Sequence, residues 1–164
     1  MNFANKTTVF LATGCYVGYI PFAPGTLGSL IGLPLCFLLA GIQLSAAMMA
    51  VLVFIFLAIW ISGAAARGLK RKDPGCIVID EIAGMVVTFI GLPFTLTTAA
   101  LGFILFRILD ILKPFPIRII DQRLSGGLGI VADDVVAGIF SNLIIRISLA
   151  ILLCVGKAGI FILS

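Results

Sequence analysis

Hydrophobic positions in this chain come in long runs, and polar residues gather in the gaps between them. Apolar runs cover residues 28–41, 44–66, 77–91, 96–112 and 131–154. They show little of the alternation that marks a half-buried strand. The run at 44–66 is long enough to cross a bilayer, whereas 28–41 is short and needs neighbours or a thinned bilayer. The runs at 77–91 and 96–112 predict a helical hairpin around Gly91-Leu92-Pro93. Residues 7–20 are modestly apolar and interrupted by Gly14 and Gly18, which predicts a short interfacial or re-entrant helix. The stretch from Pro21 to Ser29 reads as a turn-rich loop that opens the next helix. Residues 67–76 form a basic loop ending in Asp73-Pro74-Gly75. Between 113 and 130, Pro114 and Pro116 break the chain and a short amphipathic piece leads to Asp121. Gly126-Gly127-Leu128-Gly129 then predicts a flexible turn. Lipid leaves the backbone only helices or closed barrels. The pattern therefore predicts an all-α polytopic membrane helical bundle of about five apolar helices, with a short N-terminal interfacial helix and an amphipathic connecting helix. One domain over residues 1–164 is expected.

Composition agrees with that pattern. The 164 residues are 62% hydrophobic and 11% charged, with mean hydropathy +1.28. A soluble domain is about half apolar and about a quarter charged. Five spans would put the segments 18–27, 67–76 and 113–131 on one side. Those segments hold most of the Lys and Arg, so that side is expected to be cytoplasmic. The net charge of +4 concentrates in two knots, Lys70-Arg71-Lys72 and Lys113, Arg118, Arg123. They read as topology signals that also attract anionic membrane lipids, and no nucleic-acid partner is expected. All seven acids flank the same side, and the far side reads as almost uncharged except for Lys157. One polar site on the cytoplasmic face follows from hydropathy and parity. No small-residue cleavage site follows Lys6, so no cleavable signal peptide is expected. Cys15, Cys36, Cys76 and Cys154 lack a CxxC spacing and read as small apolar residues. No feature of the sequence sets an oligomeric state.

The acids carry the candidate chemistry. Asp80-Glu81 and Asp133-Asp134 are each expected to begin a helix, where an acid stabilises the dipole by about 0.3–1 kcal/mol. The dipole accounts less well for two adjacent pairs plus Asp110 near a helix C-terminus, so a shared cation site is expected. Oxygen-only ligands suit Mg²⁺, Mn²⁺ or Ca²⁺. In Asp80-Glu-Ile-Ala-Gly84 and Asp134-Val-Val-Ala-Gly138 a glycine sits one turn below the acid. It either admits another backbone beneath the carboxylate or serves ordinary small-residue packing. Arg107, Asp110 and Lys113 recur at steps of three, as a structural ion pair or as phosphate binders around an orienting acid. Thr26 and Ser29 at a helix start read as an anion cradle or plain N-caps. With no histidine, Ser-His and Cys-His nucleophiles are excluded. No GxxxxGK[ST] loop occurs, and Cys76 leads into IVIDEI, unlike a cysteine phosphatase. For a hydrolase, metal-activated water with an Asp as base is the economical remaining chemistry, and an aspartyl-phosphate route stays open.

Four segments together resemble the phosphatidylglycerophosphatase A family of bacterial inner-membrane lipid phosphatases. They are PGTLGSL at 24–30, DPGCIVIDEIAGM at 73–85, FRILDILKPFPIRIIDQ at 106–122 and GGLGIVADDVVAG at 126–138. The resemblance implies a multi-pass enzyme of the bacterial inner membrane, with its active site facing the cytoplasm. It implies Mg²⁺-dependent hydrolysis of the terminal phosphomonoester of phosphatidylglycerophosphate to phosphatidylglycerol, a step of phospholipid biosynthesis. Selectivity against phosphatidic acid rests on the resemblance alone. It draws Asp80, Glu81, Asp110, Asp133 and Asp134 into the active site, with Arg107, Lys113 and Asp121. The roles assigned are Asp80, Glu81, Asp133 and Asp134 as metal ligands and Asp110 as ligand or general base. Arg107 and Lys113, with Thr26 and Ser29 as lesser candidates, bind phosphate, and Asp73 and Asp121 stand outside as supporting acids. Family members often carry His where this chain has Pro74 and Ser125, which argues against an essential histidine there. Two rivals are weighed. A CDP-alcohol phosphotransferase needs DG-x2-AR, and Asp133-Asp134 is not followed by Ala-Arg. A cation-coupled transporter predicts acids spread through the membrane depth.

Overall fold

The computed structural model describes residues 3–71 and 74–162, with side chains described for 6–71 and 74–154. Asp73 and Lys72 lie outside the described residues, and so does the side chain of Lys157. The described chain is all-helical, without strands: α1 (Phe3–Ala12), α2 (Pro24–Ala40), α3 (Leu44–Leu69), α4 (Ile79–Phe89), α5 (Leu96–Leu112), α6 (Ile117–Arg123) and α7 (Gly126–Ile162). A 3-10 turn at Val17–Tyr19 follows α1. Two helices are long and apolar enough to cross a membrane, α3 and residues 126–154 of α7; α2 is a shorter apolar helix.

Local chemistry sets the boundaries. Pro24 occupies the start of α2, where a missing N–H costs nothing. Thus the Pro21–Ser29 stretch is a loop only as far as Ala23, and Gly25, Thr26 and Ser29 already lie in helix. A threonine capping box opens α5: the Thr95 hydroxyl accepts from Thr98 N–H at 3.2 Å, and Thr95 N–H donates to Thr98 Oγ1 at 2.8 Å. Lys113, in the left-handed region at φ 43°, ends α5, and Pro114 prevents its continuation.

The expected glycine turn at 126–129 is instead the first turn of α7, which starts five residues before the predicted 131. Close packing explains the difference. A Cβ on Gly127 would lie 2.7 Å from Gly63 N and 3.0 Å from Gly63 Cα, so these glycines let α7 rest on the backbone of α3. A second bare crossing joins α4 to α7. A Cβ on Gly84 would lie 2.8 Å from Asp134 O, and one on Gly138 would run into Gly84 O. The two glycines one turn below the acids thus face each other's helices, as the close-approach reading required.

Helix α4 is the axis of the bundle. Every residue in it is buried except Glu81, and it packs against α7 and α2. Many outward-facing side chains are large and apolar, among them Phe56 at 71% and Trp60 at 63% exposure, as suits a lipid-facing surface. The starts of α2, α4 and α7 and the ends of α3 and α5 lie at one end of the bundle. At the opposite end the sequence reading missed a cation, Arg146. Its Nη2 donates to Ile90 O at 2.7 Å and its Nε to Asn142 Oδ1 at 2.7 Å. Asn142 Nδ2 donates to Thr88 O at 2.8 Å and to Ile90 O at 3.0 Å. Together they satisfy carbonyls that the end of the 11-residue α4 leaves free.

Candidate active site

The first turn of α4 supplies Asp80 and Glu81, and the last turn of α5 supplies Asp110. Asp121 comes from α6, while Asp133 and Asp134 lie in α7. All six of these described acids line one cavity of about 340 Å³, with Lys113 among them. Its wall also includes Gly75, Ser125, Gly126 and Gly129, which the sequence reading did not assign to a site. The signal available for them was only their proximity in sequence to the acids.

Within the cavity three carboxylates converge. Asp80, Glu81 and Asp134 each present an oxygen such that the three lie within 4.8 Å of one another. Asp134 is 3% exposed and Asp80 9%. Asp80 Oδ1, Glu81 Oε2, Asp133 Oδ1 and Asp134 Oδ1 are buried with no hydrogen-bond partner. Unpaired buried carboxylates cost several kcal/mol each, and their mutual repulsion adds to that. A hard divalent cation, which takes oxygen ligands, fits this donor set.

The neighbouring acids are tied to cations. Lys113 Nζ bonds Asp133 Oδ2 at 2.5 Å and Asp121 Oδ1 at 2.7 Å. Burial alone would lower the Lys113 pKa, but the bonds to Asp121 and Asp133 outweigh it and hold the ammonium above its ordinary value. Arg107 Nη1 bonds Asp110 Oδ2 at 2.6 Å and reaches Ser29 Oγ at 3.4 Å. Ser29 in turn donates to Gly25 O at 2.9 Å. Arg107, Thr26 and Ser29 are not among the cavity-lining residues. Arg107, with Ser29 beside it, lies behind Glu81: a Cβ on Gly25 would run into the Glu81 carboxylate and lie 3.2 Å from Arg107 Nη1. Position 25 thus matters through its missing side chain, which sequence reading attributed to a turn.

The expectation that both acid pairs begin helices holds for Asp80-Glu81 alone. Asp133 and Asp134 follow Gly126 by two turns of α7, beyond the reach of the helix-start dipole. Their burial there calls for another compensation.

Apolar helices enclosing a carboxylate cavity at one end define a membrane-associated helical protein with an acidic site. The phosphatidylglycerophosphatase A family model matches residues 10–149, and the chain belongs to that family. It is 39% identical over 132 residues to phosphatidylglycerophosphatase A of Escherichia coli K12, covering 80% of this chain and 77% of the relative. The Haemophilus influenzae protein of the same name is 35% identical over 137 residues, 82% and 84% of the two chains. A Bacteroides thetaiotaomicron protein provisionally named as a phosphatidylinositol-3-phosphatase is 37% identical over 155 residues, 85% and 92% of the two chains. No solved structure matches the chain.

Proposed function

We propose that this protein hydrolyses the terminal phosphomonoester of phosphatidylglycerophosphate, releasing phosphatidylglycerol and inorganic phosphate. Family membership supports the activity. The observation that carries the site assignment is the group of buried, unpartnered carboxylate oxygens on Asp80, Glu81, Asp133 and Asp134. Asp80, Glu81 and Asp134 would hold Mg²⁺, with Asp133 contributing through its unbonded Oδ1. Bound there, the cation would supply positive charge to phosphate oxygens and lower the pKa of a water.

The chain's own residues do the rest. Asp110, oriented by Arg107, accepts the proton of the attacking water as general base. Lys113 offers a fixed positive charge to the phosphate, kept in place by Asp121 and Asp133. Arg107 and Ser29, with Thr26, brace the α2–α5 side of the site. The single bundle, residues 1–164, crosses the bacterial inner membrane several times, with the cavity at the cytoplasmic face. An acyl-anchored substrate presents its headgroup at that depth without leaving the bilayer. Confinement of the six described acids to one end favours this reading over a transport path, which needs polar groups through the whole depth.

Phosphate release from phosphatidylglycerophosphate, phosphatidic acid and phosphatidylinositol 3-phosphate by the purified protein in detergent tests the proposal. Release is expected to be fastest from phosphatidylglycerophosphate. A preference for the inositol lipid would move the substrate assignment toward that of the Bacteroides relative's name, and no release from any of the three would overturn it.

A further inference from the structure

Arg67, Lys70 and Arg71 line a second cavity, of about 370 Å³, with Gly63, Ala66 and Gly126. Arg67 lies in the last turn of α3, and Lys70 caps that helix in the left-handed conformation, φ 54°. Cations at a helix C-terminus complement its dipole, and basic loops fix topology. Those roles account for the charges. They do not account for where the three cations lie. Gly126 lines both this cavity and the acidic one, so the two meet at the first residue of α7.

The cations beside the acids are already engaged. Lys113 is shared by Asp121 and Asp133, and Arg107 is bound to Asp110. Arg67, Lys70 and Arg71 make no side-chain hydrogen bond or ion pair among the described residues. Three cations with no side-chain partner among the described residues thus border the reaction site, next to the positive end of the α7 dipole.

The substrate carries two anionic groups joined by a short polyol: a terminal monoester and a bridging phosphodiester. The acidic cavity takes the monoester. Resting on the function proposed above, we infer that the cavity of Arg67, Lys70 and Arg71 is the subsite for the substrate's bridging phosphodiester. Guanidinium groups suit a phosphodiester because they offer paired donors to two oxygens. This subsite separates two-phosphate lipids from phosphatidic acid, whose single phosphate is the monoester itself.

The test uses the full-length protein in neutral detergent micelles, where no neighbouring anionic lipid is present. In the double variant Arg67→Gln/Arg71→Gln, KM for phosphatidylglycerophosphate should rise about tenfold while kcat stays within about twofold. Lys70→Gln should give a smaller shift in the same direction, and Arg67→Lys/Arg71→Lys, which keeps the charge but not the paired donors, should recover only part of the affinity. Residual turnover of phosphatidic acid should be unchanged. The charge-matched control Arg118→Gln/Arg123→Gln should leave KM near wild type. The inference is overturned by an unchanged KM, by an equal loss in the control, or by an equal loss on phosphatidic acid. A KM change seen only in anionic vesicles would assign the cavity to a neighbouring lipid and overturn it too. Failure of the underlying function looks different: the wild-type protein itself would release no phosphate from phosphatidylglycerophosphate.

Discussion

Successive residues on an α-helix point about 100° apart, and at Asp133 and Asp134 that angle separates two environments. Asp134 turns toward Asp80 and Glu81, whereas Asp133 is bonded to Lys113. Asp133 keeps one oxygen, Oδ1, without a partner, a division of its two oxygens that adjacency in the chain does not reveal. The acids themselves were legible, since carboxylates inside apolar runs need a reason. Their partners were not, because Lys113 reaches Asp133 across 20 positions. Lys113→Gln leaves Asp133 buried without its cation and should lower stability by about 1–2 kcal/mol in this half-open setting. The folded-state pKa of Lys113 is raised, so its stabilisation is fully present below the ordinary value of 10.5 and is lost only as pH climbs through the raised value. The stability difference between wild type and Lys113→Gln in detergent should stay flat from about pH 6 to about pH 9. A difference that closes by the upper limit contradicts the assignment.

At the scale of elements, glycines decide which helices touch. Gly84 and Gly138 bring α4 and α7 together directly below the acids, and Gly63 and Gly127 do the same for α3 and α7. The first contact was open in the sequence as one of two readings, from the repeated acid-to-glycine spacing. The second was hidden, because Gly126-Gly127-Leu128-Gly129 has the composition of a turn and only the presence of α3 makes it helix. Gly138→Val adds side-chain atoms where a Cβ already meets Gly84 O and would lie 3.1 Å from Val87 Cβ. Overpacking of this kind costs about 1–3 kcal/mol, so thermal unfolding in detergent should shift down, with activity falling as the two acid-bearing helices separate. At the other end, Asn142→Leu removes the donor to Thr88 O and Ile90 O. Thr88 O then lacks its donor and Ile90 O keeps only Arg146, which should cost about 1–3 kcal/mol in thermal stability. Activity per folded molecule should stay near wild type, since the acids are at the opposite end of α4. A loss of turnover without loss of stability would show that the two ends of α4 are coupled.

Across the whole molecule, charge is sorted by end. The six described acids, Lys113 and the Arg67–Arg71 cluster lie at one end, and Arg146 is engaged at the other. The acids' positions beside the polar gaps made their share of that sorting legible, and Arg146 at the opposite end was not. The number of crossings is less legible: α4 has only 11 residues, about 16 Å of helix, against a hydrocarbon core of about 30 Å. Composition cannot separate a short buried helix from a span. Phe22 and Phe115, 82% and 81% exposed, flank the acidic end beside α2 and α6. Aromatic rings at that level suit anchoring at a membrane–water interface.

The central claim is that converging carboxylates hold a divalent cation used to hydrolyse a lipid phosphomonoester. Its most direct test is phosphate release from phosphatidylglycerophosphate, measured with Mg²⁺, with EDTA, and in Asp80→Asn and Asp134→Asn. The account predicts Mg²⁺-dependent release that EDTA abolishes and that each substitution lowers by about 100-fold or more, with unfolding in detergent still cooperative. Release that persists in EDTA and survives both substitutions would contradict it.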